Sequence, residues 1–337
     1  NISLSGNYNT AIGGSALRNN WGGSHNAAIG YTALRNNTTG THNTAIGSSA
    51  MLCSTTGSHN IAISDRALCA NTTGSYNTAL GYYSLRSNTT GSYNTAIGIT
   101  ALNSNTCGNY NIAIANSALC SNTSGCSNIA LGSNALRYNI TGSFNTAFGN
   151  SALRNNTTGN YNTAIGYGAL ENTTSSSNVG IGPFAGSTNT SGTCNIAIGY
   201  AALQYNSTGS YNVALGRLAL RDTTGGNNVG LGCNALLSNT AGSGNIGIGS
   251  NTLSQKTTGS HNISIGTSAG TCDSAGSNVT SADNSIAIGC QSKFGTTTPT
   301  NEIVIGSGAI GNGDNTTTIG NSSTTDAYIC GNVEAEE

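Results

Sequence analysis

Charged residues, prolines and long apolar runs are scarce in this chain. Only 6% of its 337 residues are charged and the formal net charge is −1, so the sequence indicates no surface for nucleic acid or anionic lipid. No apolar run approaches the ~18 residues that a membrane-spanning helix needs. These absences exclude nucleic-acid partners and membrane insertion. We therefore expect a protein that is soluble or lies at a surface.

A short repeated unit is what the chain has in abundance. The stretch Asn162-Thr-Ala-Ile-Gly-Tyr-Gly-Ala-Leu170 is one copy, in which Asn162 is position 1 and Leu170 is position 9. The interval between copies is constant, as from Asn9 to Asn26, except at two places where it is one residue shorter. Position 1 recurs at Asn9, Asn26, Asn43, Asn60, Asn77, Asn94, Asn111, Asn128, Asn145, Asn162, Asn178, Asn195, Asn212, Asn228, Asn245 and Asn262.

The period predicts the architecture. A fixed period of about 17 residues is typical of a solenoid, in which one rung packs on the next. The 48 glycines and the many Asn, Ser and Thr residues are compatible with disorder, but the strict placement of Ile, Leu and Ala argues against it. We predict an all-β chain, a β-solenoid or β-roll in which each rung is one copy of the repeat.

Two apolar positions in each rung predict two short strands. Position 4 is Ile, Leu or Phe in every copy, and position 9 is Leu or Met in most copies. Stacked at the ~4.8 Å spacing of strands, each position would form a continuous apolar spine, and the thin coil would have room inside for one large apolar side chain per strand. The small residue at position 3 indicates a close backbone, either of the same coil or of a second chain. We expect the Asn at position 1 to form a ladder of side-chain hydrogen bonds between rungs.

Such a thin coil buries a poor core by itself, which favours association with partner chains. We expect a parallel homotrimer, intertwined or side by side. The predicted regions are an N-terminal lead-in at 1–8, a shaft of 16 repeats at 9–277 and an irregular neck or cap at 278–337. The chain starts at Asn1 rather than Met and shows no signal-peptide pattern, so we expect a processed product or part of a longer protein.

The ten cysteines predict disulfides between rungs. Similar positions one rung apart meet the ~4.4–6.8 Å separation of Cα atoms that a disulfide needs. The predicted pairs are Cys53 with Cys69, Cys107 with Cys126, for which Cys120 competes, and Cys272 with Cys290. These pairs would require an oxidising compartment. Zinc binding is the alternative, but the sequence lacks a Cys-x-x-Cys pair with nearby His.

Position 12 carries a series of N-glycosylation acceptor patterns, in which Asn is followed two residues later by Ser or Thr. Turn chemistry explains the same residues without a sugar, so both interpretations stay open. If glycosylated, the shaft would carry its glycans in a line along one exposed edge. The candidates are Asn37, Asn71, Asn88, Asn122, Asn139, Asn156 and Asn206.

The last position of the rung carries a stripe of aromatic residues. Side-chain stacking between rungs explains it, and carbohydrate binding by ring stacking is the functional alternative. The residues His25, His42 and His59 in successive rungs add a metal site as a further alternative. The tyrosines of the stripe are Tyr76, Tyr93, Tyr110, Tyr161 and Tyr211.

The unit Asn-Thr-Ala-Ile-Gly-x-x-Ala-Leu resembles the repeat shafts of phage and giant-virus tail-fibre proteins. More distantly, its Ala-Ile-Gly strands resemble the left-handed β-roll heads of trimeric autotransporter adhesins. The segment from Thr317 to Val333 resembles the one that precedes the self-cleaving chaperone of many such fibres. The resemblance implies a homotrimeric extracellular fibre used for attachment or as a spacer, and it implies no catalytic residues.

The expected function is therefore structural. We expect a rigid fibre at an extracellular or virion surface, with its own copies and a cell-surface glycan as partners. The alternatives are a subunit of an indefinitely long filament joined head to tail and a carbohydrate-binding module that uses the aromatic stripe. No set of nucleophile, base and acid is visible, so we expect no enzyme activity, no cofactor and no metal.

Overall fold

The computed structural model describes residues 6–255 and 258–325, and within these ranges the chain is a parallel β-solenoid without helices. Each rung contributes one strand of three residues. The chain divides into two compact units, Asn1–Cys194 and Asn195–Glu337. The predicted all-β solenoid is confirmed.

The first unit holds eleven strands in register. Each strand pairs in parallel with the strand of the next rung, and equivalent positions lie opposite each other, as Thr10 does with Ala27 and Ala11 with Ala28. The strands are β1 (Thr10–Ile12), β2 (Ala27–Ile29), β3 (Thr44–Ile46), β4 (Ile61–Ile63), β5 (Thr78–Leu80), β6 (Thr95–Ile97), β7 (Ile112–Ile114), β8 (Ile129–Leu131), β9 (Thr146–Phe148), β10 (Thr163–Ile165) and β11 (Val179–Ile181).

The second unit holds eight strands in the same parallel arrangement. They are β12 (Ile196–Ile198), β13 (Val213–Leu215), β14 (Val229–Leu231), β15 (Ile246–Ile248), β16 (Ile263–Ile265), β17 (Ile286–Ile288), β18 (Ile303–Ile305) and β19 (Thr317–Ile319). The last three pair in register beyond residue 277, so the sheet extends into the region that we predicted to be an irregular neck. The part of the predicted neck from Asp326 onwards lies outside the described residues.

The strands point their smallest residue inwards. From β2 to β18 the side chains at position 3 are buried, as at Ala96 and Ala164, whereas positions 2 and 4 face outwards and stay half-buried or exposed. The prediction that position 4 forms an internal spine is therefore wrong. So narrow a coil has room inside the strand only for a methyl group, and the larger Ile165 therefore lies on the outer surface.

The buried apolar column is position 9, and it lies in a turn rather than a second strand. Leu102 and Leu170 are fully buried and adopt left-handed backbone angles, with φ of 51° and 50°. The N–H of Leu102 donates to the carbonyl of Ala118 on the next rung at 3.0 Å. The prediction of a second strand is wrong, because the backbone at position 9 forms a turn that hydrogen-bonds to the next rung without being extended.

Position 3 packs against the turn of its own coil. A Cβ atom added at Gly180 would lie 2.7 Å from Cγ of Leu170, one rung earlier in the same chain. Of the two open explanations for the small residue, the structure supports close packing within one coil. The core therefore consists mainly of Ala at positions 3 and 8 and Leu at position 9, with Met51, Val304 and Phe294 as further members.

The predicted asparagine ladder at position 1 is confirmed. Asn94 is fully buried, and its Nδ2 donates to Oδ1 of Asn77 at 3.1 Å and to the carbonyl of Gly108 at 2.9 Å. Its own Oδ1 accepts the N–H of Asn111 at 3.0 Å. The amide thus satisfies backbone groups on its own rung and on the next, which are costly to leave unpaired inside a protein.

Two glycines in most rungs are favoured by close approach of the next rung. At position 5, Gly98 has φ +133° and an added Cβ would lie 2.6 Å from the backbone of Ala115. At position 15, a Cβ on Gly91 would lie 2.5 Å from the carbonyl oxygen of Gly108 on the next rung. Ser64 and Ala115 occupy position 5 in two rungs, with φ of 124° and 117°, and in most other rungs the close approach of the next backbone favours Gly.

Candidate functional site

The outward positions 2 and 4 of the strands form one apolar surface in each unit, which we name the strand face. Many of its Ile, Leu and Phe side chains are between 36% and 58% exposed. In the first unit the exposed ones are Ile12, Ile29, Ile46, Ile61, Leu80, Ile112, Ile129, Phe148 and Ile165. In the second unit they are Ile196, Leu215, Ile248, Ile265, Ile305 and Ile319.

The strand face is uncharged and carries exposed apolar side chains on successive rungs. None of its residues is charged, and Thr is the only polar residue at positions 2 and 4 of the nineteen strands. Monomeric proteins rarely expose an apolar patch beyond roughly a few hundred Å², and larger patches mark interaction sites. Flat strands with this composition are suited to packing against another protein surface.

The aromatic residues at the last position form a stack that we name the ring ladder. Its members are Tyr8, His25, His42, His59, Tyr76, Tyr93 and Tyr110, with ring centroids 4.7–4.9 Å apart and planes within 19° of each other. Phe144 and Tyr161 form a second stack at 5.1 Å. Tyr211 lies in the second unit and is followed at this position by Asn227. Stacking between rungs, predicted as the structural explanation, is confirmed for the tyrosines of the first unit.

Stacking argues against the two functional alternatives for the stripe. A sugar needs the face of a ring, but neighbouring rungs cover both faces of rings such as Tyr93. The planes of His42 and His59 lie within 4° of each other, so their rings contact face to face. No group of three or more His, Cys, Asp or Glu among residues 6–255 and 258–325 is arranged to hold a metal ion.

The glycosylation candidates at position 12 lie inside the coil, which corrects the prediction of an exposed edge. All seven side chains are fully buried: Asn37, Asn71, Asn88, Asn122, Asn139, Asn156 and Asn206. The Nδ2 atom of Asn122, to which a glycan would be attached, donates to Oδ1 of Asn105 at 2.8 Å and to the carbonyl of Gly125 at 3.0 Å. The acceptor pattern is therefore the signature of a second asparagine ladder, and a glycan does not fit there in the folded chain.

All nine cysteines within the described ranges are free thiols, and Cys330 lies outside them. Cys53 and Cys69 are neighbours, since the N–H of Cys53 donates to the carbonyl of Cys69 at 3.0 Å. Their pairing stays a prediction. In Cys126, Sγ accepts the N–H of Asn109 at 3.3 Å, replacing the Ser hydroxyl that most rungs use there, and its predicted bond to Cys107 also stays a prediction.

The third predicted pair is separated by the register of the second unit. Asp273 bridges to Phe294 in parallel, which sets Cys272 beside Lys293 rather than beside Cys290. Cys290 follows β17 by two residues and is exposed. This register does not favour the predicted disulfide between Cys272 and Cys290. The insertion after β16 changes the register, and the repeat alone could not place it.

The half-buried thiols should alkylate more slowly than the exposed ones. Burial raises the pKa of the Cys69 thiol, with a further contribution from Cys53, and burial also raises the pKa of Cys120. The thiolate is the nucleophile, so a raised pKa lowers the fraction of thiolate at pH 8.

With iodoacetamide, we expect Cys107 to react several-fold faster than Cys69 and Cys120. The latter two should need a higher pH to react at the same rate. Peptide mass spectrometry after timed quenching measures this, and equal rates in the folded protein would contradict it. Unfolding in urea should equalise the rates.

The sequence contains a signal for the strand face that the prediction of an internal spine at position 4 misses. Positions 2 to 4 read as large or polar, small, large, and a small residue between two larger ones indicates that the small one faces a narrow interior. The pattern is clear in Ile112, Ala113 and Ile114. Positions 2 and 4 therefore share the outer side of the strand, and position 3 lies on the inner side.

The described residues contain no helix that is long and apolar enough to cross a bilayer. No protein-family model matches this chain, and no curated protein matches it significantly.

Proposed function

We propose that the chain is the shaft of a structural fibre at an extracellular or virion surface, where it serves attachment or acts as a rigid spacer. The observation that carries the proposal is the strand face: an uncharged apolar surface repeated on every rung of a parallel β-solenoid. A repeated surface suits lateral association of identical chains, because each rung of one copy meets the same rung of the next.

The interior of the coil supports the same proposal. Its apolar core is mostly Ala and Leu, with Met51, Val304 and Phe294 as further members, and many Asn side chains are buried beside it. Most Ile residues of the strands lie outside, so burying them requires association with another chain. Three parallel copies that bring their strand faces together would bury these residues around a common axis. We therefore propose a parallel homotrimer.

The alternative is a long filament in which the same solenoid chains join end to end, through contacts between their terminal rungs rather than between their strand faces. The carbohydrate-binding alternative is weakened because the faces of most rings in the stripe are covered by stacking. The fibre proposal requires no chemistry beyond burial of the strand face.

Sedimentation equilibrium tests the proposal with a matched pair of variants. We expect a mass of three times 33.6 kDa for the unmodified chain. Ile165→Lys places a charge on the strand face, whereas Ile140→Lys changes an equally exposed Ile outside the strands; the two side chains are 41% and 44% exposed. We expect Ile165→Lys to weaken association at least 100-fold, because an unpaired buried charge costs about 3 kcal/mol or more. Ile140→Lys should leave the mass unchanged.

Other results would contradict parts of the proposal. A monomer at all concentrations would remove lateral assembly. Polymers of unlimited length that Ile165→Lys leaves intact would favour the head-to-tail filament. Equal dissociation by both variants would show that the strand face is not the interface.

A further inference from the structure

One position in the first unit lacks a ring between two rings. Tyr110 ends the ring ladder and Phe144 begins the second stack, and Ser127 lies between them on the intervening rung. We name the space over Ser127, between the rings of Tyr110 and Phe144, the ring slot.

The backbone conformation and hydrogen bonds at Ser127 match those of the rungs that carry a ring at this position. The N–H of Ser127 donates to the carbonyl of Asn109 at 2.9 Å, and the N–H of Phe144 donates to the carbonyl of Cys126 at 3.0 Å. The φ angle of Ser127 is 56°, against 58° for Tyr110 and 59° for Phe144. Rung spacing and side-chain direction are therefore maintained, and the slot is a space that an aromatic side chain would otherwise fill.

The width of the slot suits one aromatic ring. Rings on successive rungs are 4.9 Å apart at Tyr110 and 5.1 Å apart at Phe144, so two rungs separate the facing rings by about 10 Å. A ring placed midway would lie about 5 Å from each centroid, within the ~4.5–7 Å range of favourable aromatic pairs.

Exposure is consistent with an open ring face. Tyr76 and Tyr93, which have a ring on each side, are 50% and 49% exposed. Tyr110, with a ring on one side only, is 59% exposed. The covered stretches of the ladder offer ring edges to a ligand, whereas the slot offers two facing ring surfaces.

The chemistry around the slot is neutral. The adjacent segments 107–115, 124–132 and 141–149 contain no charged residue. The nearby polar groups at the preceding position are already engaged: Sγ of Cys126 accepts from Asn109, and the hydroxyl of Ser143 accepts the N–H of Cys126 at 3.0 Å. We propose that the ring slot binds a single neutral aromatic ring, such as an indole or a phenol, sandwiched between Tyr110 and Phe144.

Titration with 5-fluoroindole, followed by ¹⁹F NMR, tests the slot. Ser127→Tyr should fill it and abolish binding, since Tyr occupies the same position with the same backbone angle at Tyr110. Ser177→Tyr is the matched control, because it adds a ring at the same position beyond Tyr161 and leaves the slot open. We expect saturable binding to the unmodified chain, at least tenfold weaker binding to Ser127→Tyr, and a change below twofold for Ser177→Tyr.

A second variant tests the facing ring. Phe144→Ser removes one wall, and we expect it to weaken binding roughly five- to tenfold. Circular dichroism confirms that each variant is folded. Absence of binding by the unmodified chain at millimolar probe, or equal binding by Ser127→Tyr, would overturn the proposal.

The source of the ring is tested with the same variants. The peptide Gly-Trp-Gly presents the indole as a protein side chain would. Tighter binding of the peptide than of free 5-fluoroindole identifies an aromatic side chain of a partner as the occupant, and weaker binding identifies a small molecule. The proposal does not depend on the fibre function, since neither variant alters the strand face.

Discussion

Replacing Asn94 with Asp is expected to lower the free energy of unfolding by about 3–5 kcal/mol at pH 7. The side chain of Asn94 is fully buried, and its Nδ2 donates to two oxygens, Oδ1 of Asn77 and the carbonyl of Gly108. A carboxylate places a negative charge against both acceptors and leaves no donor for either. The urea midpoint measured by circular dichroism reports the loss.

The loss should depend on pH in a defined direction. Burial and the facing oxygens raise the pKa of the new carboxyl in the folded chain above the ~3.9 of an unfolded Asp. The folded state then holds the proton more tightly, so the penalty is complete above the folded pKa and shrinks as pH falls. The difference in urea midpoint from the unmodified chain should therefore be smaller at pH 4.5 than at pH 7.

Asn116→Asp provides the control. This side chain is exposed, and its Oδ1 accepts the hydroxyl of Ser117 at 2.8 Å, which a carboxylate can also do. We expect a change of less than about 0.5 kcal/mol at either pH. A similar loss for Asn94→Asp and Asn116→Asp would show that the ladder does not contribute the stability that its burial indicates.

Truncating Leu170 to Ala is expected to cost about 2–5 kcal/mol, because it removes a buried side chain from a closely packed coil. Leu170 is 1% exposed, and it lies against position 3 of the following rung at Gly180. The neighbouring core positions are Gly180 and Ala185, which are too small to fill the space. Urea denaturation measures the loss, which should be the same at all protein concentrations.

Ile165→Ala, in the same rung, distinguishes the two apolar columns. Ile165 is 41% exposed on the strand face, so its truncation removes little buried surface within the chain. Any loss should come from association, so it should be largest where both proteins are associated and should shrink towards zero as dilution separates the copies. A concentration-independent loss at Ile165 as large as that at Leu170 would restore position 4 as an internal spine.

The asparagine positions illustrate how far the sequence reaches. Position 1 predicts a ladder because an amide repeated once per rung can bond above and below, and the structure confirms this for Asn94 and its neighbours. Position 12 repeats in the same way, but its Asn-x-Thr pattern also fits glycosylation. Periodicity alone could not decide whether the side chain of Asn122 lies inside or outside the coil. The conformation of the turn decides this, because it buries the side chain.

The Leu column illustrates the opposite case. Local rules assign left-handed backbone angles to Gly or Asn, because Cβ atoms are strained there. Leu102 adopts φ 51° because its N–H bonds to the next rung and its side chain fills the coil. These contacts come from residues about one rung away, so neither propensity nor alternation within the rung could reveal the turn.

The sequence by itself determined the period, the parallel stacking and the residues that must be small. A repeat of nearly constant length stacks equivalent positions of successive rungs. Small residues recur at the positions of Gly98 and Ala96, because the backbone of the next rung and the opposite turn leave little room for a larger side chain. Tertiary structure decided which side of each strand faces inwards, because inside and outside differ only once the coil has closed. That closure leaves room for Leu at the turn and places Ile on the surface, where the strand face forms.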